Sequence, residues 1–200
     1  MKRGPAPSYS RDAVLDAATE VFWARGYTDA KLDEILELTG VGRQSLYSGF
    51  GDKRTLFIQA LERYVENFIE PRVLYLEDDD SHDGLGGVRQ LIEEWKQGVA
   101  LVDRRGCLVA NSSAELGRRG DREIESHLAS ARQRVEDALV KCLDRAKTLG
   151  TLSPNADPTA IARVALMTAD GLSCAMKTTT NQAAYGVSTL DQLMTFIEGA

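Results

Sequence analysis

The chain has 200 residues, 43% hydrophobic and 27% charged, which is enough apolar content for a packed core and an ordinary charge load. The net charge of −6 argues, taken whole, against nucleic acid; yet residues 1–60 hold eight Lys/Arg and eight Asp/Glu, so the acidity belongs to residues 61–200. No run of 18 apolar residues occurs, the opening "MKRGPAPSYS" lacks a secretory apolar stretch, and Cys107, Cys142 and Cys174 are too far apart for a disulfide framework or a CxxC zinc site. The expectation is a cytoplasmic protein with no membrane span, no metal and no cofactor.

The pattern is helical almost throughout. Ser10 can cap a first helix whose apolar positions Val14, Ala18, Val21 and Phe22 share one face, with Gly26 ending it. A short second helix carries Leu32, Ile35 and Leu36 and stops at Gly40. A very short third opens at Gly42, contains Leu46 and Tyr47, and closes at Gly49 and Gly51. From Asp52 a long helix runs through Leu56, Phe57, Leu61, Tyr64 and Phe68, and Pro71 is expected to kink or interrupt it. "EDDDSHDGLGG", Glu77 to Gly87, reads as a solvated linker. Its likeness to a calcium loop fails because Gln90 stands where a bidentate Glu is needed.

Four further helices follow: one from Val88 to Val102, a short one from Cys107, one from Ile124 to Leu143 ended by Gly150, and one capped by Asp157 with Pro158 first, running to about Thr180. The last of these is rich in Ala, Gly and Ser. A final amphipathic helix holds Leu190, Leu193, Met194 and Ile197.

The stretch "GVGRQSLYSGFGDK", Gly40 to Lys53, has the glycines, hydroxyls and cations of a phosphate site. It is no P-loop, since Lys53 follows Asp52 and precedes Arg54, and no strand leads into it. The dinucleotide fingerprint fails for want of a βαβ unit. A helix, a glycine turn and a short helix do fit a helix-turn-helix. Leu46 and Phe50 would hold the third helix on the other two. Arg43 and Gln44 at its start are the types that read guanine and adenine edges, and Ser45, Tyr47, Ser48 and Lys53 are placed to meet the bases' flanks and the phosphates. The following helix N-terminus would offer free amides to a phosphate. Arg54 is the weaker candidate, and Lys2 and Arg3 suggest a minor-groove arm.

"FWARGY…LDEILELTGVGRQSLYSGFGDKRTLFIQAL" resembles the N-terminal domain of the TetR family of transcriptional regulators, over about Ser10 to Tyr64. The "FGDK" wording, with "RGCLVANSSAEL" downstream, is similar to a subgroup in which a "GC" motif opens a short helix. The sequence departs from the family at the caps of helices 2 and 3, Lys31 and Gly42, and at Gln44. The resemblance implies an all-α chain: a helix-turn-helix DNA-binding domain over residues 1–52, then a helical ligand-binding and dimerisation domain over 53–200, with the helix from about residue 53 linking them. It implies no enzyme. It implies a homodimer formed through the last two long helices, with Leu190, Leu193, Met194 and Ile197 supplying apolar area. The partners would be a double-stranded, palindromic DNA operator and an unidentified small-molecule effector whose binding releases a repressor. Candidate effector contacts are Trp95, Val99, Cys107, Asn111, Met167 and Leu172. A thiol-reactive effector acting at Cys107, with Arg104, Arg105 and Lys177 as nearby cations, is the alternative, Cys142 and Cys174 being packing residues. A helical enzyme and a helical adaptor without DNA are the competing classes.

Overall fold

The computed structural model describes residues 9–100, 105–117, 121–175 and 183–200, and among these there are helices and turns and no strand. The all-α expectation therefore holds. Lys2, Arg3, Arg104 and Lys177 lie outside the described residues.

Helices α1 (Arg11–Asp29), α2 (Leu32–Thr39) and α3 (Arg43–Phe50) form the helix-turn-helix unit. The Ser10 hydroxyl accepts the Ala13 amide at 3.3 Å and so starts α1. Helical geometry breaks at Gly26 (φ 79°, ψ 170°), after which Tyr27 to Asp29 form a separate turn. Gly40 ends α2 in the left-handed region, its amide on Leu36 O at 2.8 Å. Neither Lys31 nor Gly42 makes a side-chain cap, so tertiary packing holds these short helices. Val14, Ala18 and Phe22 of α1, Ile35 of α2, and Leu46 and Phe50 of α3 are all buried. Each of the larger side chains contributes about 1.5–3 kcal/mol by leaving water.

Pro71 does not interrupt the next helix. α4 (Lys53–Tyr64) passes through one π turn, Val65–Ile69, into α5 (Glu70–Glu77). A proline ring clashes with the carbonyl four residues back. The wider turn, with the Glu70 amide on Val65 O, opens that space and the chain stays helical.

The acidic segment before α6 (Gly86–Ala100) is folded rather than a solvated linker. Arg145 donates to Asp79 O at 2.8 Å and Glu77 O at 2.6 Å, and the Thr151 hydroxyl donates to Asp83 O at 2.8 Å. Leu85 is fully buried. The Asp79 and Asp83 carboxylates accept the Ser81 and Leu85 amides, and Asp83 also pairs with Arg89. Among the described residues no group of His, Cys, Asp and Glu could hold a metal.

α7 (Leu108–Leu116), α8 (Arg122–Thr148), α9 (Pro158–Ala175) and α10 (Ala183–Glu198) complete the fold. Asp157 caps α9 by accepting the Thr159 and Ala160 amides. The apolar stripe of α10 does not face outward as expected for a dimer surface. Leu190, Leu193 and Ile197 are buried inside the protomer, where α10 packs on α6. The exposed apolar side chains are instead Val164 and Met167 on α9 and Tyr185 and Phe196 on α10. Among the described residues no helix is long and apolar enough to cross a membrane.

Candidate nucleic-acid interface and internal cavity

α3 buries Leu46 and Phe50, which turns Arg43, Gln44, Ser45, Tyr47 and Ser48 to solvent along one face. Tyr47 is 45% exposed, so its ring and hydroxyl are open to an external surface. Arg43 pairs with Asp33 on α2. Both side chains are more than half exposed, so the pair is weak and can give way to a base edge. The Ser48 hydroxyl donates to Ser45 O at 3.1 Å.

Two residues that sequence reasoning missed hold α3 from behind. Arg11 donates to Gly49 O at 2.9 Å and lies 4.5 Å over the Phe50 ring; the Tyr9 hydroxyl donates to Ser45 O at 3.3 Å. No local pattern marks them, because their partners are more than thirty residues away.

Lys53 is half-buried. Its Nζ donates to Thr28 O at 3.1 Å and lies 5.2 Å from the Tyr27 ring centre. The start of α4 is not the vacant anion site expected. Asp52 accepts the Thr55 amide and hydroxyl, each at 2.8 Å, and these bonds hold its carboxyl below the usual range. Arg54 turns the other way. Its Nε and one terminal nitrogen reach Asp121 at 2.6 and 2.8 Å, and the latter also reaches Glu123 at 2.7 Å. Asp121 caps α8 through the Ile124 amide; Arg54 is the main reason its carboxyl is held down to about 2.

A cavity of about 790 Å³ opens between α1, α4, the π turn, α5, α6, α7, α8 and α9. Trp95, Val99, Cys107 and Leu172 line it, but Met167 and Asn111 do not. On α9 the inward positions are Leu166, Ala169 and Asp170, so Met167, one residue of helical rotation away, faces out at 67% exposure. The Asn111 amide donates to Arg105 O at 2.7 Å and braces the turn before α7. Cys174, expected as packing, is exposed and borders the cavity, whereas Cys142 is fully buried, its thiol pushed up to about 12 by burial and by Asp79.

Sequence reasoning also missed the aromatic wall. Trp23, Tyr64 and Phe68 pack with ring centres 4.9 to 5.1 Å apart. Trp23 follows the buried Phe22 and so lies about 100° further round α1, half-buried beside the main core stripe. Burial, then the neighbouring Cys107 thiol, push the Tyr64 hydroxyl well above its ordinary range.

α7 forms one cavity wall and is fastened to α1 at both ends. At its start, the Trp23 indole donates to Gly106 O at 2.9 Å, and Arg105 lies 4.5 Å over the Trp23 ring and pairs with Glu20. At its end, the Glu115 carboxylate accepts the Tyr27 amide at 2.9 Å and the Thr28 amide at 2.7 Å. The same Thr28 carbonyl receives Lys53.

The comparisons agree with this geometry. Residues 14–60 match the model of bacterial regulatory proteins of the tetR family, and residues 84–189 match the tetracyclin repressor-like C-terminal domain. The chain is 34% identical over 156 residues to the HTH-type transcriptional regulator YezE of Bacillus subtilis (strain 168), covering 75% of this chain and 77% of that protein. It is 27% identical over 194 residues to the HTH-type transcriptional repressor ComR of Escherichia coli (strain K12), covering 96% and 87%. Among solved structures it is similar to a cysteine-substituted form of the TetR family regulator CifR complexed with 26-bp operator DNA. That likeness has a TM-score of 0.80 and 26% identity, over 95% of this chain and 98% of that one. With both halves matched, the chain belongs to the TetR family of DNA-binding transcriptional regulators.

Proposed function

We propose that the chain is a cytoplasmic repressor that binds a palindromic operator as a homodimer and is released when a small molecule fills the cavity. The observation that carries this reading is the double fastening of α7. One helix lines the cavity and also holds, through Glu115, the backbone turn that positions Lys53. A ligand that shifts α7 thereby changes the DNA-facing surface, which is the differential contact that ligand control requires. The exposed Val164, Met167, Tyr185 and Phe196 support a dimer through α9 and α10. The operator complex of CifR supports operator binding, and the repressor names of ComR and DhaR, which match over 96% and 94% of the chain, support repression. The position of Cys107 on the cavity wall, against Tyr64, keeps a thiol-reactive effector as the second reading.

The test is selection of duplexes from a random pool, followed by gel shifts at several salt concentrations. The expected site is an inverted repeat whose affinity falls steeply with salt. Lys53→Ala and Tyr47→Phe should weaken all duplexes alike. Arg43→Ala and Gln44→Ala should change the preferred sequence by about 1–3 kcal/mol per lost base contact. A selected site without two-fold symmetry would sink the dimer reading.

A further inference from the structure

We propose that the cavity takes an uncharged molecule with an aromatic or fused-ring body, and that Asp170 enforces this by neutralising Arg132. The proposal rests on the reading of this cavity as the effector site.

The walls are rings and aliphatic carbon. Trp23, Tyr64, Phe68 and Trp95 border it, the first three stacked or edge-to-face with one another. A flat apolar guest extends that cluster with the ring geometries aromatic groups prefer. Charged side chains are also present, and their arrangement is informative. Five of the described lining residues carry a carboxylate or a guanidinium, Arg72, Glu94, Arg105, Arg132 and Asp170, and each has an opposite partner. Arg72 Nε donates to Glu94 Oε2 at 2.9 Å, Arg132 pairs with Asp170, and Arg105 pairs with Glu20 just behind the wall while its plane covers Trp23. These pairs are partly sheltered, with side-chain exposures of 24% and 31% for the first and 37% and 34% for the second. An anionic guest would have to displace a carboxylate from its guanidinium, and a cationic guest the reverse. Among the described residues either would otherwise enter without a counter-charge, which partly sheltered surroundings penalise. A neutral guest leaves all three pairs intact.

Asp170 is the position where this preference can be reversed. It belongs to α9 and reaches across to Arg132 on α8, so removing its charge leaves Arg132 as a guanidinium facing the cavity with its partner gone. Glu94 holds the same relation to Arg72 at the α6 side.

Two probes with the same ring systems separate the possibilities: N-phenyl-1-naphthylamine, which is uncharged, and 8-anilinonaphthalene-1-sulfonate, its sulfonated analogue. Trp23 and Trp95, the only tryptophans in the chain, both line the cavity, so quenching of their fluorescence reads occupancy directly. In the full-length wild type the neutral probe should bind about tenfold tighter or more, the factor that one uncompensated charge commands in a sheltered site. Asp170→Asn should tighten the sulfonate by about tenfold while moving the neutral probe less than about threefold, since an amide of the same shape removes only the charge. Glu94→Gln should act in the same direction and serves if Asp170→Asn folds poorly by circular dichroism. The proposal is overturned if the neutral probe does not bind, if the sulfonate binds wild type as tightly, or if a folded Asp170→Asn (Glu94→Gln where Asp170→Asn does not fold) leaves the ratio unaltered. Failure of the underlying effector reading looks different: the neutral probe fills the cavity with the expected selectivity, yet gel shifts on the selected duplex do not change.

Discussion

The Gly26→Ala substitution puts the seam between α1 and α7 to a quantitative test. Gly26 holds φ 79° and ψ 170°, a region open essentially to glycine alone, so a Cβ there costs about 1–3 kcal/mol in backbone strain. The added carbon would also lie 2.6 Å from Glu115 Oε2. Oε2 must then leave the Tyr27 amide that it accepts at 2.9 Å, while Oε1, bonded to the Thr28 amide at 2.7 Å, lies 3.7 Å from the new carbon. Hydrogen bonds to a charged acceptor contribute about 1.5–3 kcal/mol when sheltered. The Tyr27 bond is part-buried and the Thr28 bond exposed, so one such contribution is the fair count. Gly26→Ala should therefore destabilise by about 2.5–6 kcal/mol and Glu115→Ala by about 1.5–3 kcal/mol. The two costs must not add. With Glu115 already removed, the new methyl meets no carboxylate and only the strain remains, so the double variant should recover about 1.5–3 kcal/mol relative to the sum. Urea unfolding followed by circular dichroism on the four proteins gives the interaction energy. A Gly26→Ala cost that is the same in both backgrounds would show that Glu115 does not rest on this turn, and would remove the link by which the cavity is argued to reach Lys53.

Two more outcomes follow from the geometry. Met167→Arg, on the exposed face of α9, should yield a monomer by light scattering with little change in melting, whereas Leu193→Arg should unfold the protomer because Leu193 is buried within it; a dimeric Met167→Arg would move the interface elsewhere. Cys142 should resist iodoacetamide at pH 8 while Cys107 and Cys174 react. Its thiol is held at about 12 in the fold, against about 8.5 in the unfolded chain, so the folded state keeps the proton longer. That stabilisation is full below about pH 8.5 and is lost as pH climbs toward 12, and Cys142→Ala should flatten the alkaline slope of stability.

Local patterns made much of this protein legible. The alternation of Leu46 and Phe50 with Arg43, Gln44, Ser45, Tyr47 and Ser48 settles which face of α3 looks outward, because an eight-residue helix has room for only one buried stripe. Gly40 and Gly51 mark the ends of α2 and α3 for the same local reason, a positive φ. What stayed hidden depends on distant partners. The acids of 77–83 look solvated until Arg145 and Thr151 arrive from sixty or more residues away. Met167 looked like a cavity residue because α9 is apolar on two sides, and nothing within the helix says which side meets α8. Leu190, Leu193 and Ile197 read as an unpartnered stripe because their cover, α6, lies about a hundred residues earlier.

The fastening of α7 to α1 also limits modularity. A chimera cut after residue 52 appears natural, since the reading helices end there. Yet such a cut separates Glu115 from the Tyr27 and Thr28 amides, Arg105 from Glu20, and Gly106 from the Trp23 indole. A foreign reader grafted onto this sensor must bring an acid at the position of Glu20, an indole at Trp23 and a glycine at Gly26. Otherwise, if α7 carries the proposed coupling, the hybrid should bind its DNA and its ligand without either being felt by the other. Reader and sensor are interchangeable only among chains that share this joint.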